Sequence, residues 1–444
     1  MLLLLFNGIF MVQAGWTASL VMLVVIINTY LWSLAIEQII KKQQKICLAI
    51  GLVIHFSIML WFRICYDHMP LALAYYGLMT AGYLVEVYRR HPAEKNILKL
   101  SVCISFFPSL VQGPINQFSC IRKQIFSPKA FQGGQAVLAL ERILWGYFKK
   151  LVIADRIYPA VLTIIDAPDQ YTGFYVFVGM IFYAIRLYAD FTGGIDITMG
   201  IAQYLGVELV ENFNVPFTSK NLAEYWRRWH ISLGEWIKNY VFYPLSISKP
   251  VNRAAKKIKK INPELGKRFP VYVAAMVAWF VTGLWHGSEP HFIVWGMANC
   301  MIILISRECR PLYEKFHQSY PKLTASRAYE DFQAVRTFLL VCILRMFDCY
   351  RDVTLTADMF LRMFTEFSVY QVSLDGFLQL GITAADYVIL GIGVFMMYLV
   401  GKRKKELPWT CHYAAIIFLL FAVLIFGNYG IGYDPAQFIY GELV

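Results

Sequence analysis

What constrains this chain most is a series of long apolar runs. Leu20–Ile36, Met69–Val85, Phe174–Leu187, Val271–Leu284, Tyr387–Val400 and Tyr413–Phe426 hold a single charge between them, Arg186. A hydrocarbon core about 30 Å thick takes roughly 20 helical residues to cross. With shorter and interrupted runs included, about ten segments qualify as spanning or half-spanning. In lipid every backbone polar group needs a partner within the protein, so only helices and closed barrels cross. Barrel strands alternate apolar and polar residues, and these runs do not. The expected fold is all-α, a polytopic transmembrane helical protein. Composition agrees: 58% of the 444 residues are hydrophobic and 16% charged, with mean hydropathy +0.51, where soluble domains are about a quarter charged.

The formal charge of +12 sits between the runs. Lys41, Lys42 and Lys45 form one cluster, and Arg89 and Arg90 a second. Arg253, Lys256, Lys257, Lys259, Lys260, Lys267 and Arg268 form the longest, and Lys402, Arg403, Lys404 and Lys405 the last. Basic residues concentrate in cytoplasmic loops, so all four clusters are expected in the cytoplasm and none is needed for nucleic acid. Nine cysteines without a CxxC read as small apolar filler, not as a disulfide framework or metal site. Met1–Val12 lacks a basic n-region and a small-residue cleavage site, and reads as part of the membrane domain. With no linker and no internal repeat, residues 1–444 read as one membrane domain. Ser101–Phe118 is broken by Pro108, Gly113 and Pro114 and followed by Arg122, Lys123 and Lys129. Those charges favour a re-entrant loop over a full crossing.

Glu211–Leu245 is too charged for lipid. Asn221, with Glu224 three residues on, is a capped helix start. Tyr225, Trp229, Leu233, Trp236 and Tyr240 recur at three or four residues, one apolar face of a helix at the membrane interface. His230 borders that face and can turn into protein.

Ionisable groups in apolar surroundings are functional candidates. His286 ends the run Val271–Trp285 between Gly283 and Gly287, where the backbone can approach another element closely. An imidazole titrates near neutral pH and can take a proton from an alcohol. The plain alternative is a histidine hydrogen-bonded at a helix end. His55 and His291 read as structural or interfacial. Arg186 and Asp190, four apart, can pair on one helix face, and Gly193-Gly194 before Asp196 suggests a helix break. No P-loop, GxGxxG, HExxH or GxSxG signature is present.

Taken in order, these pieces resemble the bacterial type of membrane-bound O-acyltransferase (MBOAT). The resemblance rests on Phe106-Phe107-Pro108, Gln112-Gly113-Pro114-Ile115, Gly146-Tyr147-Phe148-Lys149-Lys150 with Ala154-Asp155-Arg156, and Tyr188-Ala189-Asp190-Phe191-Thr192-Gly193. It continues through Glu211-Asn212-Phe213-Asn214-Val215-Pro216-Phe217, Glu224-Tyr225-Trp226-Arg227-Arg228-Trp229-His230-Ile231-Ser232-Leu233, Gly283-Leu284-Trp285-His286-Gly287 and Gly430-Ile431-Gly432-Tyr433-Asp434. The match runs from about residue 60 onward and is strongest over about 100–300. The pattern is nearest to members serving alginate O-acetylation, with those serving D-alanyl transfer to teichoic acid close by. Relative to the alginate type, an early helix is expected to be missing, and Phe438-Ile439-Tyr440-Gly441 departs from its aromatic ending.

The resemblance implies re-entrant and interfacial helices around a central tunnel. It implies His286 as the catalytic residue at the tunnel neck, and His230 as a second essential or supporting group. Trp226, Trp229 and Trp285 would shape the walls, with Asp190 and Asn214 in support. Arg227 and Arg228 would meet carrier phosphates, lipid headgroups or structural partners. No tightly bound cofactor or metal is implied. The substrate would be an acyl thioester, acyl-CoA or acyl carrier protein, on the cytoplasmic side of a bacterial plasma membrane. The acceptor would be an extracytoplasmic polysaccharide or partner acyltransferase. The rival readings are D-alanyl transfer to teichoic acid, a polytopic transporter or flippase, and a non-catalytic scaffold.

Overall fold

The computed structural model describes residues 2–65, 72–110, 112–127, 132–368, 371–403 and 407–429. Helices α1 (Leu2–Gln13) and α2 (Trp16–Gln38) turn on Gly15, whose φ of 110° suits glycine. Helices α3 (Gln44–Cys65) and α4 (Leu73–Tyr88) pack against α2, and α4 is buried along nearly its whole length. Next comes a dip made of α5 (Ile97–Ile104), a 3₁₀ turn (Phe107–Ser109) and α6 (Phe118–Ile125). An ion pair between Arg122 and Glu94 closes its two ends on one face, so the segment returns to the side it left. At its tip the buried Asn7 donates to Ser105 Oγ at 3.0 Å and Val102 O at 3.3 Å. This is how re-entrant backbone is satisfied, by protein instead of water.

Helix α7 (Gly133–Tyr147) continues through a π-helical segment (Phe148–Ala154) into α8 (Asp155–Asp166). Helix α9 (Phe174–Tyr204) packs antiparallel along all three. The break expected at Gly193-Gly194 is absent, because α9 runs unbroken through both. The glycines serve close packing: a Cβ on Gly146 would lie 2.6 Å from the Gly193 carbonyl oxygen. Next come α10 (Leu222–Arg228), α11 (Ile231–Ile237), a second π-helical segment (Lys238–Phe242), α12 (Tyr243–Ser246) and the basic α13 (Lys249–Ile261). Helices α14 (Pro263–His286) and α15 (Pro290–Glu308) form a hairpin. The exposed α16 (Arg310–Ser319) and α17 (Pro321–Thr324) lead to α18 (Arg327–Tyr350), α19 (Val353–Thr365), α20 (Leu374–Leu378), α21 (Ala384–Lys402) and α22 (Trp409–Phe426). Among the described residues, α2, α3, α9, α14, α15, α21 and α22 are long and apolar enough to cross a membrane. The protein is an all-α integral membrane protein.

Contacts sort the connecting loops onto two faces. On one, Ala93 N donates to Glu37 Oε1 at 3.0 Å, and Arg89 to Asn239 O at 3.0 Å. There too Gln124 and Glu208 exchange two hydrogen bonds of 2.7 Å, Arg142 pairs with Glu211 at 2.8 Å, and Arg268 pairs with Glu308. On the other, Arg362 pairs with Asp169 at 3.1 Å, Phe174 N donates to Gln371 Oε1 at 3.0 Å, and Arg156 pairs with Asp386. The four basic clusters fall on the first face; Lys404 and Lys405 lie outside the described residues, as does Lys129. If that face is cytoplasmic, then in whole cells, with the exposed Cys120 replaced, Lys257→Cys resists a membrane-impermeant maleimide and Asp375→Cys reacts with it. The reverse labelling pattern would invert the topology.

Candidate active site

The interfacial segment starts as its sequence suggests. Asn221 Oδ1 accepts from Glu224 N at 2.9 Å and caps α10. The single helix expected over Asn221–Tyr240 is not formed. The chain leaves α10 at Trp229 and passes through His230 with φ 47° and ψ 54°, a left-handed conformation costly for a non-glycine residue. It re-enters helix at Ile231.

Neighbouring backbone holds that break open. Phe213 and Trp229 form an antiparallel bridge, with Asn214 N donating to Arg228 O at 2.9 Å and Ile231 N to Asn212 O at 3.0 Å. The fully buried Asn212 side chain completes it. Its Oδ1 accepts from Ser232 N and Ser232 Oγ, both at 2.9 Å. A backbone N–H can only donate, so that atom is the oxygen, and His230 Nδ1, 3.3 Å away, must carry the proton. The lone pair then belongs to Nε2. Burial, reinforced by the Arg345 charge, pulls the His230 imidazole down to about 3, so it is neutral at physiological pH. Ser232 Oγ also accepts from Ile115 N at 2.9 Å, which ties the re-entrant dip to the site.

His286 sits at the C-terminus of α14, buried. Glycine makes its hairpin possible: a Cβ on Gly283 would lie 2.6 Å from Phe292 O, and one on Gly296 2.6 Å from Trp279 O. The Trp285 ring stands between the two histidines, with centroids 5.7 Å from His230 and 4.9 Å from His286. Trp295 closes the other side of His286 at 5.0 Å. Both histidines line one cavity of about 450 Å³, together with Trp226, Arg227, Trp229 and Lys238. That volume suits a small ligand. Its buried end holds the histidines; its exposed end carries Arg227 and Lys238, on the face of the basic loops.

The remaining candidates divide. Trp226 donates from Nε1 to the buried Asn299 at 2.9 Å, and Trp229 packs in an aromatic cluster with Phe191, Phe213 and Tyr225. Arg227 is exposed in the cavity mouth, whereas Arg228 is bound to Glu224 at 2.5 Å and Thr218 at 3.1 Å. Asp190 lies apart from this cavity. It pairs with Lys150 at 2.8 Å, which also reaches Asp155 at 2.8 Å. The expected Arg186 partnership gives way to Arg186 lying over the Tyr158 ring at 3.7 Å. Asn214 lines a separate cavity of about 190 Å³ among Arg142, Lys149, Asp196 and Glu211. His55 bonds to Gly77 O at 2.8 Å between α3 and α4, a structural role, and His291 is buried against Phe292. Gly430–Asp434 and Phe438–Gly441 lie outside the described residues.

Sequence reasoning passed over Arg345. It is buried, lies 5.1–5.6 Å over the rings of Trp226, Trp229 and Trp295, and pairs with Asp348 at 2.6 Å. The available signal was an Arg and an Asp three residues apart in an apolar stretch. Removing one partner of a buried pair strands the other, at about 3–5 kcal/mol. Arg345→Met should therefore lower thermal stability in detergent sharply, and Arg345→Met with Asp348→Asn should recover part of the loss. Equal melting temperatures for wild type and Arg345→Met would refute this account.

The profile of MBOAT, the membrane-bound O-acyltransferase family, matches residues 5–257, which include His230 and stop before His286. A probable alginate O-acetylase AlgI of Azotobacter vinelandii is 30% identical over 54% of this chain and 45% of its own. Its counterpart in Pseudomonas aeruginosa is 28% identical over 72% of this chain and 57% of its own. A teichoic acid D-alanyltransferase of Bacillus subtilis is 26% identical over 55% of this chain and 59% of its own. The chain spans about half the length of the curated relatives it matches. With a profile match over more than half its length, on a bundle of membrane-crossing helices, the chain belongs to the membrane-bound O-acyltransferase family.

Proposed function

We propose that the protein is an O-acyltransferase that takes a small acyl group from a thioester donor on its basic face. The group passes to a hydroxyl of a cell-envelope polysaccharide, or of a partner acyltransferase, on the far side. The observation that carries this reading is the convergence of His230 and His286 on one cavity whose mouth bears Arg227 and Lys238. Acetyl is favoured over D-alanyl because the alginate O-acetylase relatives are 27–30% identical, against 24–26% for the D-alanyltransferases.

The chemistry follows from the residues. The His286 imidazole accepts the hydroxyl proton as the oxygen attacks the thioester carbonyl. The carbon–oxygen bond forms, the carbon–sulfur bond breaks, and the imidazolium returns its proton to the departing thiolate. His230, neutral and held by Asn212, orients the reacting groups. The tryptophan walls exclude water, which would otherwise hydrolyse the thioester. Arg227 and Lys238 suit the phosphates of a coenzyme or carrier arm.

The test is transfer of labelled acetyl from a thioester donor by purified protein in nanodiscs. His286→Ala should lower the rate by about 10²–10⁴, the usual worth of a positioned general base. Its expression and monodispersity should match wild type. His230→Ala should also impair transfer. Near-normal transfer by His286→Ala, with donor saturating, would remove His286 from the role of base.

A further inference from the structure

A second cavity, of about 370 Å³, lies on the other side of α11 from the histidines, between α3, α4 and α14. Its lining is almost wholly apolar. It extends along α4 from Ala74 to Val85, about 16 Å at 1.5 Å per residue. That is roughly half of a 30 Å hydrocarbon core, the depth of one leaflet. Leu60 and Val281 on its rim are partly exposed, so it communicates with the perimeter that faces lipid.

The end of this cavity on the basic face is marked by charge. Tyr240 lines it there, and Arg89, one turn beyond Val85, lies 5.4 Å over the Tyr240 ring. Arg89 donates one bond to Asn239 O at 3.0 Å, and the guanidinium has further donors to offer. Arg89 and its neighbour Arg90 are both exposed. Lys238 belongs to the histidine cavity instead, where it pairs with Glu235 at 3.0 Å. The inner wall is Trp285, the ring that separates His230 from His286.

We propose that this cavity holds one acyl chain of an anionic phospholipid from the leaflet on the basic face, with its phosphate on Arg89 and Arg90. An apolar cavity one leaflet deep, open to hydrocarbon and headed by two arginines, matches such a lipid in length, polarity and charge. The chain would lie against Trp285 and so brace the wall of the histidine cavity. The inference rests on membrane embedding and stands apart from the acyl-transfer reading.

The test measures lipid without turnover. Protein purified in mild detergent is delipidated, offered phosphatidylglycerol or phosphatidylcholine, and weighed intact by native mass spectrometry. Wild type should retain phosphatidylglycerol preferentially. Ala81→Trp, which fills the buried middle of the cavity, should abolish retention of either lipid. Val281→Phe, at the partly exposed rim, should reduce it if Ala81→Trp fails to fold. Each arginine at an anionic surface is worth about fivefold in affinity, so Arg89→Gln with Arg90→Gln should cut the preference for phosphatidylglycerol about 25-fold. Equal retention of both lipids by wild type, or undiminished retention by folded Ala81→Trp or Val281→Phe, would overturn the proposal.

Discussion

Where a helix stops inside a membrane protein, its end groups have no bulk water to bond, and each orphan costs several kcal/mol. The stop at Trp229–His230 persists because Asn212–Asn214 lies alongside as a short piece of strand and takes up those groups. One carboxamide oxygen, that of Asn212, serves Ser232 twice and His230 once. The kink turns α11 and the following π-helical segment onto a new axis. Both cavities that flank α11 depend on that axis, one beside the histidines and one beside α3 and α4.

Around this kink the buried charges act as register locks. Lys150 lies between Asp155 and Asp190, and Asp196 between Arg142 and Lys149. Such pairs add little net stability, since desolvation offsets much of their attraction. Their effect is on alternatives: sliding α9 along α7 by one turn would part Asp190 and Asp196 from their cations in a largely apolar seam. The glycine contact between Gly146 and Gly193 permits the close approach that the pairs require. Arg345 does for α18 what these groups do for α9, spreading its charge over three tryptophan rings while Asp348 balances it.

Much of the fold was legible in the sequence because bilayer thickness prescribes helix length, and that prescription acts on each segment separately. The apolar runs became helices, the Pro/Gly-broken Ser101–Phe118 became a dip, and Asn221 became a cap. The stretches around His230 and His286 marked residues of which Trp226, Trp229, His230 and His286 do line one cavity, with the Trp285 ring set between the two histidines. In each case the deciding interaction lies within a few residues or with the solvent.

Tertiary structure decided the rest. No local rule places a left-handed turn at His230, because histidine has no intrinsic preference strong enough to stop a helix; the partner that stops it, Asn212, is 18 residues away. Asp190 had a plausible partner four residues back in Arg186, yet its cation is Lys150, 40 residues distant, where the π-helical segment faces α9. Asn214, only 16 residues before His230, opens onto a different cavity because its strand-like neighbours face α7 and α21. By itself the sequence determined that the chain is a bundle of apolar helices built for a membrane, and which polar residue types stand among them. Their grouping into cavities came from packing between segments, whose contact energies depend on partners far along the chain and leave no periodic trace in either one.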